Sequence, residues 1–193
     1  MHSPKILAFA GSTRKDSYNK KLLKIAVAGA QEAGAAVTVV DFIDLPMPIF
    51  NEDLEASEGM PANALKFKQL MVAHHGFLIA SPEYNSSITA LLKNSIDWAS
   101  RSVSKDEKPL VAFTGKIAAL MSASPGGLGG IRSLVTVRAM LENIGVMVLP
   151  AQRSIVKAHE AFNADGSLKS DADQAAVKSL GKSLAEIISK LHP

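Results

Sequence analysis

The sequence predicts an open α/β domain: a five-stranded parallel sheet wound with helices on both faces. Three observations carry that prediction. Five short apolar runs recur along the 193 residues. They lack the alternation of a half-exposed strand and read as strands buried on both faces, the habit of parallel sheets. Stripes at helical spacing separate them, and alternating strands and helices define the α/β class. Polar or glycine-rich loops follow three of the runs and lead into helices, at the rim where such sheets bind ligands.

The elements follow in order. Lys5 to Ala10 (KILAFA) is the first strand, ending at Gly11. Tyr18, Leu22, Ile25 and Ala26 then share one helix face, with Gly34 as the stop. Residues 36–42 (AVTVVDF) form the second strand. Leu45 to Pro61, with three prolines and four acids, reads as an irregular crossover. A helix runs from Ala64 through Phe67, Leu70 and Met71 to His74. The third strand is 76–82 (GFLIASP), and the helix after it carries Ile88, Leu91, Leu92, Ser95, Ile96 and Ala99. Lys105 to Gly115 reads as a loop. The fourth strand is 116–124 (KIAALMSAS), its helix carries Leu134, Val137, Leu141 and Ile144, and the fifth strand is 146–150 (VMVLP). The last helix holds Ala176, Leu180, Leu184, Ile187, Ile188 and Leu191. No linker divides the chain, so one domain over 1–193 is expected. Five strands suit the doubly wound order 2-1-3-4-5, which brings the loops after strands 1, 3 and 4 to one rim.

Composition narrows the function. Apolar residues make up 47% and charged residues 20%, a globular balance. There is no cysteine, which excludes a disulfide framework, a Cys-ligated zinc and a thiol nucleophile. The net charge of +3 favours anionic ligands without calling for nucleic acid. The five histidines, His2, His74, His75, His159 and His192, lack metal-site spacing, so no metal is expected. The apolar run after Lys5 is too short for a signal peptide or membrane span, so a cytoplasmic protein without membrane insertion is expected.

The first loop, GSTRKDSYNKKL from Gly11, offers the hydroxyls of Ser12 and Ser17, the charge of Arg14 and the start of a helix, which together suit a phosphate. Asn19 is placed to bond the loop's own backbone. Asp16, Ser17 and Asn19 also read as ordinary helix caps. No Gly-Lys-Ser/Thr follows, so this is not a Walker loop. The second loop, SPEYNSS from Ser81, offers a rigid Pro82, the carboxylate of Glu83, the flat ring of Tyr84 and the amide of Asn85. Its bland reading is a turn capped by Ser86 or Ser87 with Glu83 in solvent. The third, SASPGGLGGIR from Ser122, carries four glycines for close backbone approach or positive φ. A phosphate cradle, an aromatic wall and a glycine backbone on one rim point to FMN.

These stretches, with LLKNSIDWAS continuing the second loop, resemble the NADPH-dependent FMN reductase family of flavodoxin-like quinone, azo-dye and chromate reductases. The resemblance implies phosphate contacts from Ser12, Arg14, Ser17 and Asn19, with Tyr18 beside them. It implies ring contacts from Pro82, Glu83, Tyr84 and Asn85, largely through backbone, and contacts from the third loop at Ser122, Ser124, Gly126 and Gly127. It further implies NADPH or NADH as co-substrate, ping-pong hydride transfer to a small-molecule acceptor, no dedicated catalytic side chain, and a homodimer or dimer of dimers. The alternatives are a flavodoxin-type electron carrier and an FMN-free regulatory domain on the same fold. Carriers are usually acidic, whereas this chain is mildly basic and has Arg14 and Lys15 in the first loop.

Overall fold

In the computed structural model, which describes residues 3–192, five strands form one parallel sheet in the order β2-β1-β3-β4-β5. The strands are β1 (Lys5–Ala10), β2 (Ala36–Val40), β3 (Gly76–Ala80), β4 (Ile117–Ala123) and β5 (Met147–Ile155). The helices are α1 (Tyr18–Glu32), α2 (Glu52–Glu58), α3 (Ala62–Ala73), α4 (Ala90–Ser100), α5 (Ile131–Asn143), α6 (Ala158–Ala161) and α7 (Asp171–Leu191). His2 lies outside the described residues.

Strands β1, β3 and β4 are the buried centre, and every residue of β3 and β4 is buried. Alternate side chains feed two cores. Ile6, Ala8, Leu78 and Ala119 meet α1 and α7 on one face; Leu7, Phe9, Phe77 and Leu120 meet α3, α4 and α5 on the other. Phe9, Phe42 and Phe67 pack edge-to-face in the second core, with ring centroids 5.0–5.7 Å apart. Helices α1 and α7 cross closely at Gly29 and Gly181: a Cβ on either would overlap the other helix's backbone carbonyl, at Lys178 and Ala26 respectively.

Three elements depart from the sequence reading. Strand β2 is an edge strand and is not buried on both faces; Ala36, Thr38 and Val39 are exposed because α1 packs mainly over β1, β3 and β4 and leaves the edge largely uncovered. The expected irregular crossover contains α2, whose N-terminus Asn51 caps by accepting from the amides of Asp53 and Leu54. Strand β5 runs to Ile155, past the expected end at Pro150. Its register against β4 shifts between Ala118 and Leu120, where Pro150 has no N–H to contribute. The Arg138 guanidinium covers the shift, donating to the carbonyls of Val148 (3.2 Å) and Leu149 (2.7 Å).

Candidate functional site

Loops following β1, β3 and β4 converge because those strands are neighbours and end at the same edge. They enclose an open cleft lined by Ser12, Arg14, Ser17, Tyr18, Asn19, Pro82, Glu83, Tyr84, Ala123, Ser124 and Pro125. Nine of the thirteen expected residues line it; Asn85, Ser122, Gly126 and Gly127 do not. A larger, mainly apolar pocket lies between α1 and β2, but its Lys20 and Asp41 are paired with each other at 2.6 Å. Convergent polar groups, rather than volume, mark a binding site.

The first loop leaves α1 uncapped by any side chain. Ser17 holds the cap position in extended conformation (φ −70°, ψ 124°), makes no capping hydrogen bond, and the first turn has no acid. The capping read into Asp16, Ser17 and Asn19 is therefore absent. The first-turn amides have no intrahelical partner and sit at the positive end of the helix dipole, with the Ser17 hydroxyl beside them. Asn19 does not bond its own loop. Its buried amide donates to the Ala123 carbonyl (2.8 Å) and accepts from the Ala123 N–H (3.0 Å), which locks α1 to the end of β4. That side chain is already committed, and only its backbone remains to meet a ligand. Tyr18 stacks on Phe162 at 5.8 Å and 15°.

The second loop is a two-residue hairpin. Tyr84 and Ser87 exchange backbone hydrogen bonds of 2.9 and 3.0 Å, and Asn85 and Ser86 take positive φ of 50° and 67°. This primed turn lifts the Tyr84 ring to 57% exposure. The helix after it is capped by Thr89, not by Ser86 or Ser87. Thr89 Oγ1 accepts from Leu92 N–H (3.2 Å) and donates to the Gly11 carbonyl (2.9 Å), so it also ties the second loop to the first. Glu83 is not in solvent: its side chain is 8% exposed and pairs with Arg132 at the start of α5. Hydrogen bonding from the Arg132 side chain holds the Glu83 carboxyl below the usual range, so it stays ionised and cannot serve as a proton donor near neutrality.

The third loop divides its glycines by role. Gly129 and Gly130 have φ of 60° and 87° and are buried against Ile155 and Ser122, so the chain's own backbone demands them. Gly126 and Gly127 are exposed, but the Gly126 backbone is already bonded: its carbonyl accepts from the N–H of Gly129 (3.4 Å) and Lys157 (3.2 Å), and its N–H donates to the Ser124 hydroxyl (3.3 Å), so Gly127 is the position that stands in open space. Ser122 is fully buried and donates to the Ser81 carbonyl (2.6 Å); it is an internal strut, not a surface for a cofactor. Ser133 donates to the same carbonyl at 3.2 Å. The organising residues missed in the sequence are thus Thr89, Arg132 and Ser133. Only Thr89 carried a local signal, a β-branched hydroxyl directly before an apolar helical stripe.

Beyond the cleft, the LLKNSIDW stretch clamps the chain to itself. Asn94 donates to the Pro48 carbonyl (2.9 Å) and accepts from the Phe50 amide (2.7 Å), and Trp98 Nε1 donates to the same Pro48 carbonyl (2.8 Å). Trp98 is fully buried, so it belongs to the core and offers no face to a second subunit. Among the described residues no cluster of His, Asp or Glu is placed to hold a metal ion, and no helix is long and apolar enough to cross a membrane.

A doubly wound sheet in this order, with an uncapped helix N-terminus and an aromatic wall at its switch point, defines a flavodoxin-like mononucleotide-binding protein. The donor set suits FMN: amides and hydroxyls for a phosphate, and a flat face for a ring. The chain belongs to the NADPH-dependent FMN reductase family, which it matches over residues 4–160. It is an oxidoreductase with FMN as cofactor and NAD(P)H as co-substrate. It is 36% identical over 168 residues to an NAD(P)H-dependent FMN reductase of Pseudomonas aeruginosa, covering 86% of this chain and 85% of that one. It is 31% identical over 192 residues to an NADPH:quinone oxidoreductase of Arabidopsis thaliana, covering 97% and 93%. Among solved structures, the flavoenzyme NAD(P)H:(acceptor) oxidoreductase of Paracoccus denitrificans matches with a TM-score of 0.80 at 28% identity, over 97% of this chain and 98% of that one.

Proposed function

We propose that the whole chain, 1–193, acts as one FMN-binding reductase domain that uses NADPH or NADH to reduce quinones, with flavins, azo dyes and chromate as further acceptors of the same exposed ring. The observation that carries this reading is the uncapped start of α1, opening into a cleft between Pro82 to Tyr84 on one side and Ala123 to Pro125 on the other. Held by these residues, FMN would supply the chemistry of hydride transfer between NAD(P)H and the acceptor, in ping-pong alternation.

The chain's own residues bind and orient. The α1 amides, Ser12, Ser17 and Arg14 receive the phosphate dianion. Pro82, Glu83 and Asn85 present backbone to the ring, and Tyr84 gives a flat surface on which nicotinamide and then acceptor stack. Ser124, Gly126 and Gly127 close the other side. No side chain serves as acid or base. A homodimer or dimer of dimers belongs to the same proposal, supported by exposed Leu128, Ile131 and Val135 on and beside α5 next to the cleft. So does a cytoplasmic location, tested by cell fractionation.

The test is anaerobic titration of FMN-loaded protein with each nicotinamide, read through flavin absorption, followed by a quinone. Bleaching by NADPH or NADH and recovery with quinone are expected. A protein that binds no added FMN, or whose flavin neither nicotinamide reduces, defeats the proposal.

A further inference from the structure

The Glu83–Arg132 pair differs from an ordinary surface ion pair in three respects. The Glu83 side chain is 8% exposed although Arg132 is 53% exposed, so the carboxylate is drawn inward. It accepts from the Arg132 backbone N–H at 3.1 Å, from Nε at 2.7 Å, and from Nη2. The bonds span two loops: Glu83 sits between Pro82 and Tyr84, and Arg132 is two residues past Gly130, where α5 begins. One carboxylate therefore caps α5 and binds the Arg132 side chain, joining the loop that carries Tyr84 to the end of the glycine loop, where Gly130 packs beside Glu83. Beneath it, Ser122 and Ser133 both donate to the Ser81 carbonyl, which anchors the same junction from below.

We propose that Glu83 is a positioning residue: its bonds to Arg132 fix the loop that carries Tyr84 against the start of α5, and so determine how tightly and at what angle the flavin ring is held. This rests on the FMN reading of the cleft. The ionised carboxylate is turned away from proton transfer and spent on geometry. Arg132 is the fork that receives it; lysine keeps the charge but not the paired donors.

Four variants test this: E83A, E83Q, R132A and R132K. FMN affinity is read by fluorescence quenching on FMN-free protein, ring orientation by the visible circular dichroism of bound FMN, and turnover with NADPH and a benzoquinone. Amide hydrogen exchange is followed at residues 126–131 of the FMN-free protein. E83A and R132A are expected to weaken FMN by about tenfold or more, as loss of a charge-assisted pair and of preorganisation implies. They should also alter the flavin dichroism and speed exchange at 126–131. E83Q and R132K should fall between these and the wild type. Unchanged FMN affinity and dichroism in E83A and R132A overturn the proposal, even if the melting temperature drops. So does an E83Q variant that loses kcat and shifts the pH profile at wild-type FMN affinity, the signature of a proton donor. Should the wild type bind no FMN, the functional reading fails; the exchange arm still decides on the tie, and unaltered exchange in E83A then overturns it independently.

Discussion

Ser17 separates two roles that a sequence cannot. A serine before a helix reads as a cap, yet here its hydroxyl makes no capping bond. Ser17→Ala should therefore leave urea stability within about 0.5 kcal/mol of wild type, while FMN binding weakens. A true cap would cost about 1 kcal/mol on the same substitution. Asn19 predicts the reverse balance. Its loss strands the N–H and C=O of Ala123 in a buried setting. Asn19→Ala should lower unfolding free energy by about 2–3 kcal/mol, since unsatisfied buried groups cost about 1–3 kcal/mol each. Arg14 is exposed, and the proposed function gives it a role in phosphate binding alone. Arg14→Met should weaken FMN about tenfold or more in a quenching titration, the loss of one charge-assisted contact, with no change in melting temperature.

At the level of elements, α1 is held from two sides. Its start is tied to β4 through Asn19, and its middle is locked to α7 where Gly29 and Gly181 let the backbones meet. Gly181→Ala would force a methyl into the Ala26 carbonyl. It should cost about 1–3 kcal/mol or more as overpacking against rigid backbone, seen as a lower urea midpoint at constant m-value. Because the proposed phosphate contacts come from the start of α1, the same variant should bind FMN more weakly. The α4 motif shows a further division of labour. Thr89 at its head fixes the first loop through Gly11, whereas Asn94 and Trp98 fix the strap at Pro48 to Phe50.

Across the whole molecule, charge at the amino ends of the strands makes stability depend on pH. His75 Nδ1 accepts from the Lys5 N–H at 3.1 Å, and its ring stacks on His192 at 5.0 Å. Burial first, then the neighbouring His192, Lys116, Lys5 and His74, hold the His75 imidazole below its ordinary value. The fold thus favours the neutral ring. Its contribution is complete above the unfolded value near pH 6.5 and is lost as pH falls through the lower folded value. Melting temperature should decline over that window, and His75→Gln, which keeps an acceptor for Lys5, should flatten the decline in a thermal scan. This end of the sheet lies opposite the cleft, so FMN affinity at neutral pH should be unaffected.

What the sequence determined by itself was the architecture and the three loops. Parallel strands buried on both faces need unbroken apolar runs, and helices over them need stripes, so both periods are written locally in β1, β3, β4 and the main helices. The exposed edge of β2 and the extension of β5 beyond Pro150 were not, because burial and register depend on which neighbours arrive. Most expected site residues reached the cleft for the same local reason: each loop follows its own strand. Their bonding was decided only by tertiary structure. Asn19 finds Ala123, Thr89 finds Gly11, Ser122 finds Ser81 and Glu83 finds Arg132, pairs 41 to 104 residues apart. A polar side chain near a ligand can bind it or hold the loop that does. Which it does depends on whether a distant segment supplies a partner before the ligand can.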